Sequence, residues 1–312
     1  MSLRELPIGM YGMVMGLAGL GLAARAAAPV LPGVVRAPAY FTEPWVALAA
    51  VALVVLLPLY VVKVFVYPQV VKGEFTNPVT LGFCGALPVG MSLVAGGVAP
   101  YSPLLGTILW WASLALLVGF QVWALSRLLA GGIELAQLNG GWLIVLVGGI
   151  VLPGPGISLG ETEAARFAFG GSAALAPMLM ALLLYRAAFG PPLPAVLRPS
   201  WFILLVPPAL IYANGVALYP EMAFLENLYF FGLVLAAALL FYARTFPGWD
   251  FGAPWWSFTF PLDALAYAAA RYALDHPSPL AQAATAATLL AATLAVLLVL
   301  WKTLRSAASS RG

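Results

Sequence analysis

Residues 255–273 read WWSFTFPLDALAYAAARYA. The stretch is long and apolar enough to cross a bilayer, which takes about 20 mostly apolar residues. Yet within four positions it places Phe260, Pro261 and Asp263. These are a bulky ring, a residue that cannot donate a helical hydrogen bond, and a carboxylate. The ring fits lipid, but the other two are costly there, and a reading of the chain has to account for all three together.

Composition leaves one class of protein. Of 312 residues, 63% are hydrophobic and 8% charged, whereas a soluble domain carries about 25% charged residues. Mean hydropathy is +1.00. The sequence therefore predicts an all-α polytopic membrane protein, with one transmembrane domain over residues 1–312. The single cysteine, Cys84, has no partner for an intrachain disulfide and reads as a small buried hydrophobe. The single histidine, His276, falls in the polar break DHPSP. A haem or copper in a helix bundle needs several inward His, Met or Cys ligands, so no metal and no cofactor is expected.

Ten candidate spans follow from the apolar runs. They are Pro7–Ala27, Trp45–Tyr67, Pro78–Val98, Leu104–Leu128 and Trp142–Leu159, then Ala164–Phe189, Trp201–Leu218, Leu225–Phe246, Trp255–Leu274 and Leu280–Trp301. The breaks PQVVKGEFTNP, AGGIELAQLNGG, GPPLPAVLRPS, YPEM, TFPGWDFGAP and DHPSP hold the turn residues and nearly all the charge. Arg4 followed by an apolar run and Ala-Arg-Ala-Ala-Ala has the look of a cleavable leader. The run is too long for one, however, and its Gly9, Gly12, Gly16 and Gly19 suit helix packing, so the segment reads as a retained helix.

Orientation comes from the basic residues. With ten spans, Arg4, Lys63, Lys72, Arg127, Arg186, Arg198, Arg244, Lys302, Arg305 and Arg311 share one side, which makes 10. Arg25, Arg36, Arg166 and Arg271 make 4 on the other. Both termini are thus expected in the cytoplasm. Trp45, Trp142, Trp201, Trp255 and Trp301 fall at span ends, where aromatic anchors belong.

Proline separates odd from even spans. The third carries Pro88, the fifth Pro153 and Pro155, the seventh Pro207 and Pro208, the ninth Pro261, and the first has glycines instead. Only Pro58 and Pro177 interrupt even spans. A proline within a helix frees a backbone carbonyl, which lipid does not tolerate unless protein or water covers it. The odd helices are therefore expected inside, around a central path, with even helices shielding them.

The stretches PIGMYGMVMGLAGLGLAAR, KGEFTNPVTLGFCGALPVG, WFILLVPPALIYA and WWSFTFPLDALA, in this order along almost the whole chain, resemble one family. It is the tellurite-resistance/C4-dicarboxylate transporter family, which includes bacterial TehA and the plant slow-type anion channels. The resemblance implies ten helices as five helical hairpins, odd helices lining a pore through each subunit of a homotrimer, and small anions as cargo. It also implies that a ninth-helix phenylalanine closes the pore, here Phe260, with Pro261 loosening the helix where the ring swings. Gly12 and Gly16 lie in the matched first helix, Phe83 and Pro88 match the third-helix pattern, Pro153 is the proline of the fifth, and Pro208 matches that of the seventh.

Two positions depart from the family pattern. Asn77 stands where the family often has a histidine, and Asp263 where the plant channels have a small or hydroxyl residue. An ionised Asp263 about 6 Å from a passing anion, at an effective dielectric near 20, would repel it by roughly 3 kcal/mol, about a hundredfold in occupancy. Asp263 must then hydrogen-bond between helices, stay protonated, or take up a proton as part of transport. Glu161, Glu163, Glu221, Glu226 and Asp275 fall on the outer face and read as a solvated rim.

The function expected is an anion channel or permease that passes small anions across the bacterial inner membrane through a Phe-gated pore. The alternative is a proton-coupled exporter of sulfite, tellurite or C4-dicarboxylates. An intramembrane enzyme is not expected, because no span holds a histidine and HExxH is missing. Membrane lipid and sister subunits are the expected partners. No basic stripe points to nucleic acid.

Overall fold

The computed structural model describes residues 3–32 and 38–309. Arg36 and Arg311, counted above for orientation, lie outside the described residues. Among the described residues every regular element is helical, and nine segments are long and apolar enough to cross a membrane. In chain order, with the shorter helix Thr259–Asp275 in its place, they are α1 Ile8–Ala27, α2 Glu43–Val66, α3 Pro78–Val98, α4 Pro103–Leu129 and α5 Gly141–Ser158, then α6 Thr162–Phe189, α7 Ala195–Leu218, α8 Ala223–Thr245, α9 Thr259–Asp275 and α10 Pro279–Ser306. At 17 residues, with Asp263, Arg271 and Asp275 in it, α9 is the one outside the nine.

Burial alternates along the chain. The most apolar stretches of α1, α3, α5 and α7 are 72%, 94%, 83% and 89% buried, whereas those of the five even segments are 28% to 33% buried. In α9, every residue from Thr259 to Ala266 is buried. The even helices present Val54, Phe65, Val122, Met178, Val234 and Leu290 outward, an apolar exterior suited to acyl chains rather than water. The odd segments close a ring. α1 packs on α3, α3 on α5, α5 on α7, α7 on α9, and α9 back on α1.

Each odd segment changes helical type on its way through. Short 3₁₀ stretches at Ile8–Tyr11, Gly82–Gly85, Gly148–Ile150, Ala195–Leu205 and Ala253–Phe258 precede the α-helical parts Gly12–Ala27, Ala86–Val98, Pro153–Ser158, Val206–Leu218 and Thr259–Asp275. Pro88, Pro153, Pro207, Pro208 and Pro261 all fall within the first three residues of those α-helices. The sequence expectation that these prolines stand within α-helices and free a carbonyl there therefore needs correcting. In a first turn the missing N–H has no α-helical acceptor to lose, and the fixed φ suits the start of a helix. Pro58 and Pro177, in the outer helices, are the ones inside continuous α-helix.

The middle of α5 is the least regular part, a 3₁₀ turn and two turn residues between two α-helices of 7 and 6 residues. Its backbone is satisfied by side chains from three neighbours. Gln121 Nε2 (α4) donates to the Leu146 carbonyl at 3.1 Å, and Trp110 Nε1 (α4) to that of Leu152 at 3.1 Å. The Gly149 amide donates to Ser172 Oγ (α6) at 3.1 Å. Asn214 Nδ2 (α7) donates to the Ile150 carbonyl at 2.7 Å. Removing one such partner leaves a buried carbonyl unpaired, which costs about 1–3 kcal/mol. Asn214→Ala is accordingly expected to lower stability by about 1–3 kcal/mol, read by thermal unfolding in detergent micelles. Asn227→Ala, whose Nδ2 bond to the Phe224 carbonyl is exposed, should change it by less than about 0.5 kcal/mol.

Candidate functional site

Two cavities lie along the axis of the ring, and all five odd segments contribute to each. The first is formed by the N-terminal halves, with Gly12, Phe83, Val147, Pro207 and Pro254 among its walls. It leaves about 30 Å³ for the centres of water-sized molecules. The second is formed by the C-terminal halves, with Gly19, Arg25, Pro155, Asn214, Asp263 and Tyr267 in its walls, and leaves about 480 Å³. Because the same halves meet in each cavity, the five odd segments run parallel. Two residues line both cavities, Val151 and Phe260. The Phe260 ring, 4% exposed, thus stands where the narrow apolar cavity meets the wide one.

A glycine track on α1 sets that ring. Gly12, Gly16 and Gly19 recur at helical spacing and face α9 with its 3₁₀ approach. A Cβ at position 12 would lie 3.1 Å from the Trp256 Cβ, and one at position 16 would collide with Thr259 Oγ1. At position 19 it would come within 2.8 Å of both Phe260 Cδ2 and Asp263 Oδ2. These are closer than side-chain atoms pack, so the glycines allow α1 to lie directly on the face that carries Phe260.

Asp263 follows Phe260 by three residues on the same helix face, and it opens on the wide cavity at 1% exposure. Neither of its oxygens has a hydrogen-bond partner among the described residues. Of the three alternatives for Asp263, the hydrogen bond between helices is therefore not formed among the described residues. Asn214 Oδ1 is likewise buried without a partner, while its Nδ2 donates to the Ile150 carbonyl. Asn214 Oδ1 and the Tyr267 hydroxyl both approach Gly154, at 3.4 and 3.7 Å from where its Cβ would be.

At the open end of the wide cavity Arg25 makes a two-pronged pair with Glu43, at 3.0 and 2.6 Å, and donates to the Gly97 carbonyl at 2.9 Å. Beside it, a hydrogen bond to Glu43 raises the Tyr101 hydroxyl above its ordinary range. At exposed positions, Glu163 pairs with Arg166 and Asp275 with Arg271.

The residues singled out from sequence divide. Gly12, Phe83, Phe260 and Pro261 line the narrow cavity, and Phe260 and Asp263 the wide one. Gly16, Pro88, Pro153 and Pro208 line neither. Gly16 is a contact point for α9, and the Pro88 carbonyl accepts from Ser113 Oγ at 2.7 Å. Pro207 rather than Pro208 faces the cavity. Asn77 caps the first turn of α3, its Oδ1 accepting from the Val79 amide at 2.9 Å. Sequence reasoning missed Val151, Asn214, Tyr267 and the axial position of Arg25. The one available signal was a polar Asn214 alone within an apolar run.

These features define a multi-pass helical membrane protein built around two cavities stacked on one axis. The chain belongs to the SLAC1 family of voltage-dependent anion channels, which matches residues 5–304. It is 26% identical to the S-type anion channel SLAH2 of Arabidopsis thaliana over 253 residues, covering 80% of this chain and 49% of that protein. It is 25% identical to the guard cell S-type anion channel SLAC1 of the same plant over 284 residues, covering 88% and 51%. A third relative from that plant, the S-type anion channel SLAH3, is 23% identical over 307 residues, covering 97% and 48%. The chain thus spans about half the length of these relatives.

The glycine track gives a direct test. Gly16→Ala should destabilise by about 1–3 kcal/mol through overpacking, and adding Thr259→Ala should restore most of the loss. Gly73→Ala, where nothing lies within 4 Å, should be neutral or stabilising. Thermal unfolding of the purified variants decides.

Proposed function

We propose that this chain is an anion channel or permease of the bacterial inner membrane, with Phe260 as the plug of its pore. In this reading α9, extended by its 3₁₀ approach, completes ten spans in five hairpins. The odd ones line the pore, both termini lie in the cytoplasm, and the chain assembles as a homotrimer as the family resemblance implies. The narrow cavity is then on the cytoplasmic side and the wide one on the outer side.

The observation that carries the reading is the shared wall. Phe260, together with Val151, stands in the wall that the two cavities share, and we read its ring as what separates them. A ring filling an apolar constriction excludes water, and an ion that cannot keep its hydration or replace it cannot pass. The sign of the cargo has two supports. The relatives are named as anion channels, and the parallel odd helices turn the positive ends of their dipoles toward the narrow cavity. Gly12 and Gly19 fix α1 against α9 beside the ring, and Pro261, in the first turn, holds the helix start from which Phe260 projects.

Removing the ring should open the path. Phe260→Ala is expected to raise chloride flux into liposomes at least about tenfold over wild type. Trp111→Ala, on the exposed face of α4, should leave it unchanged. If Phe260→Ala liposomes leak no more chloride than protein-free ones, the reading fails.

A further inference from the structure

The wide cavity is lopsided in its chemistry. Both Asp263 oxygens and Asn214 Oδ1 lack a hydrogen-bond partner among the described residues. Both residues line the cavity, at only 1% and 2% exposure. The Asn214 amide, which could have donated into it, is committed to the Ile150 carbonyl. What remains on this wall is a set of acceptors. Buried acceptors without donors are costly, so the wall suits a ligand that brings N–H groups.

The acceptors converge. Asp263 and Tyr267 are four residues apart on α9 and share a face. The Tyr267 hydroxyl and Asn214 Oδ1 both approach Gly154. Around these groups the lining is largely apolar, with Leu22, Leu93, Leu210 and Phe260 in it, and the cavity leaves about 480 Å³. Charge points the same way. Arg25, the basic residue of the lining, is already paired with Glu43 of α2. It also lies six residues beyond Gly19, which packs against Asp263, and so roughly 9 Å further along α1 at 1.5 Å per residue. The ends of α1, α3 and α5 reach the cavity at Ala26, Ala99 and Ser158, and the C-terminal end of a helix carries negative partial charge.

We propose that this wall is a binding site for a primary ammonium with an apolar body. The ammonium rests on Asp263, Asn214 Oδ1 and Tyr267, and the body lies along Leu22, Leu93 and Leu210. An ammonium group has three donors and no acceptor, which is the complement of this wall. It also brings the charge partner that Asp263 lacks on the protein. A metal ion would need a fuller shell of oxygens, and beyond these three groups the wall is mostly hydrocarbon. The bound ligand sits on the wide side of the Phe260 ring.

The test is a calorimetric titration of the full chain in nonionic detergent micelles at about pH 7, where benzylammonium is a cation, with protein-free micelles as the blank. Benzylammonium should bind at least about tenfold more tightly than benzyl alcohol, which has the same ring and no charge. Asp263→Asn keeps the shape and removes the charge, so it should erase that preference and leave benzyl alcohol unchanged. Glu163→Gln, in an exposed pair, should behave as wild type. No binding of benzylammonium by wild type, equal affinity for the alcohol, or a preference that survives in Asp263→Asn would overturn the proposal. The first two readings need only the wild type. A plug at Phe260 is read from flux, so either idea can fail while the other stands.

Discussion

The structure depends on keeping an interrupted helix inside a bilayer. Hydrocarbon offers no hydrogen bonds, so every carbonyl or amide that leaves the helical pattern must find a protein partner. In α5 the pattern fails between two short helices, and the groups at Leu146, Gly149, Ile150 and Leu152 are met by Gln121, Ser172, Asn214 and Trp110. Those four side chains come from α4, α6 and α7, so the irregular segment ties together helices on both sides of it. Ser172 also accepts from Gln121 at 2.8 Å, which joins α4 to α6 directly. The break is what lets Val151 reach the axis at the level of Phe260.

Around that centre, small residues decide which surfaces touch. The α1 glycines bring α1 onto α9, and Gly82 and Gly85 do the same for α3, whose backbone lies against that of α5. Close approach of backbones gains dispersion contacts where the hydrophobic effect offers nothing between helices. The even helices have no such demand on their outer faces.

Much of this was legible in the chain. Hydropathy found the nine segments long and apolar enough to cross a membrane, and the placement of Pro88, Pro153, Pro208 and Pro261 separated inner segments from outer ones, as their burial bears out. The prolines were read as lying within helices, whereas they stand at starts, because a 3₁₀ stretch and an α-helix have nearly the same hydrophobic pattern and sequence alone does not mark the joint. The segment 255–274 was expected as one helix, and its first four residues belong to a 3₁₀ stretch. Within the site, Phe260 and Asp263 stood out through their chemistry. Val151 and Tyr267 did not, since an apolar or aromatic residue in a membrane helix is ordinary until its neighbours are known. Choosing between Pro207 and Pro208 required the helix phase, which adjacent prolines leave open.

The 3₁₀ stretch before Phe260 has a geometric consequence. A 3₁₀-helix rises about 2.0 Å per residue and turns about 120°, an α-helix about 1.5 Å and 100°. The six residues Ala253–Phe258 therefore hold about 3 Å more axial length, and about 120° more winding, than the same residues would in α form. Extension and rotation are coupled there as in a screw thread. Any rewinding of this coil displaces and swivels Phe260 together, and neither movement is available without the other.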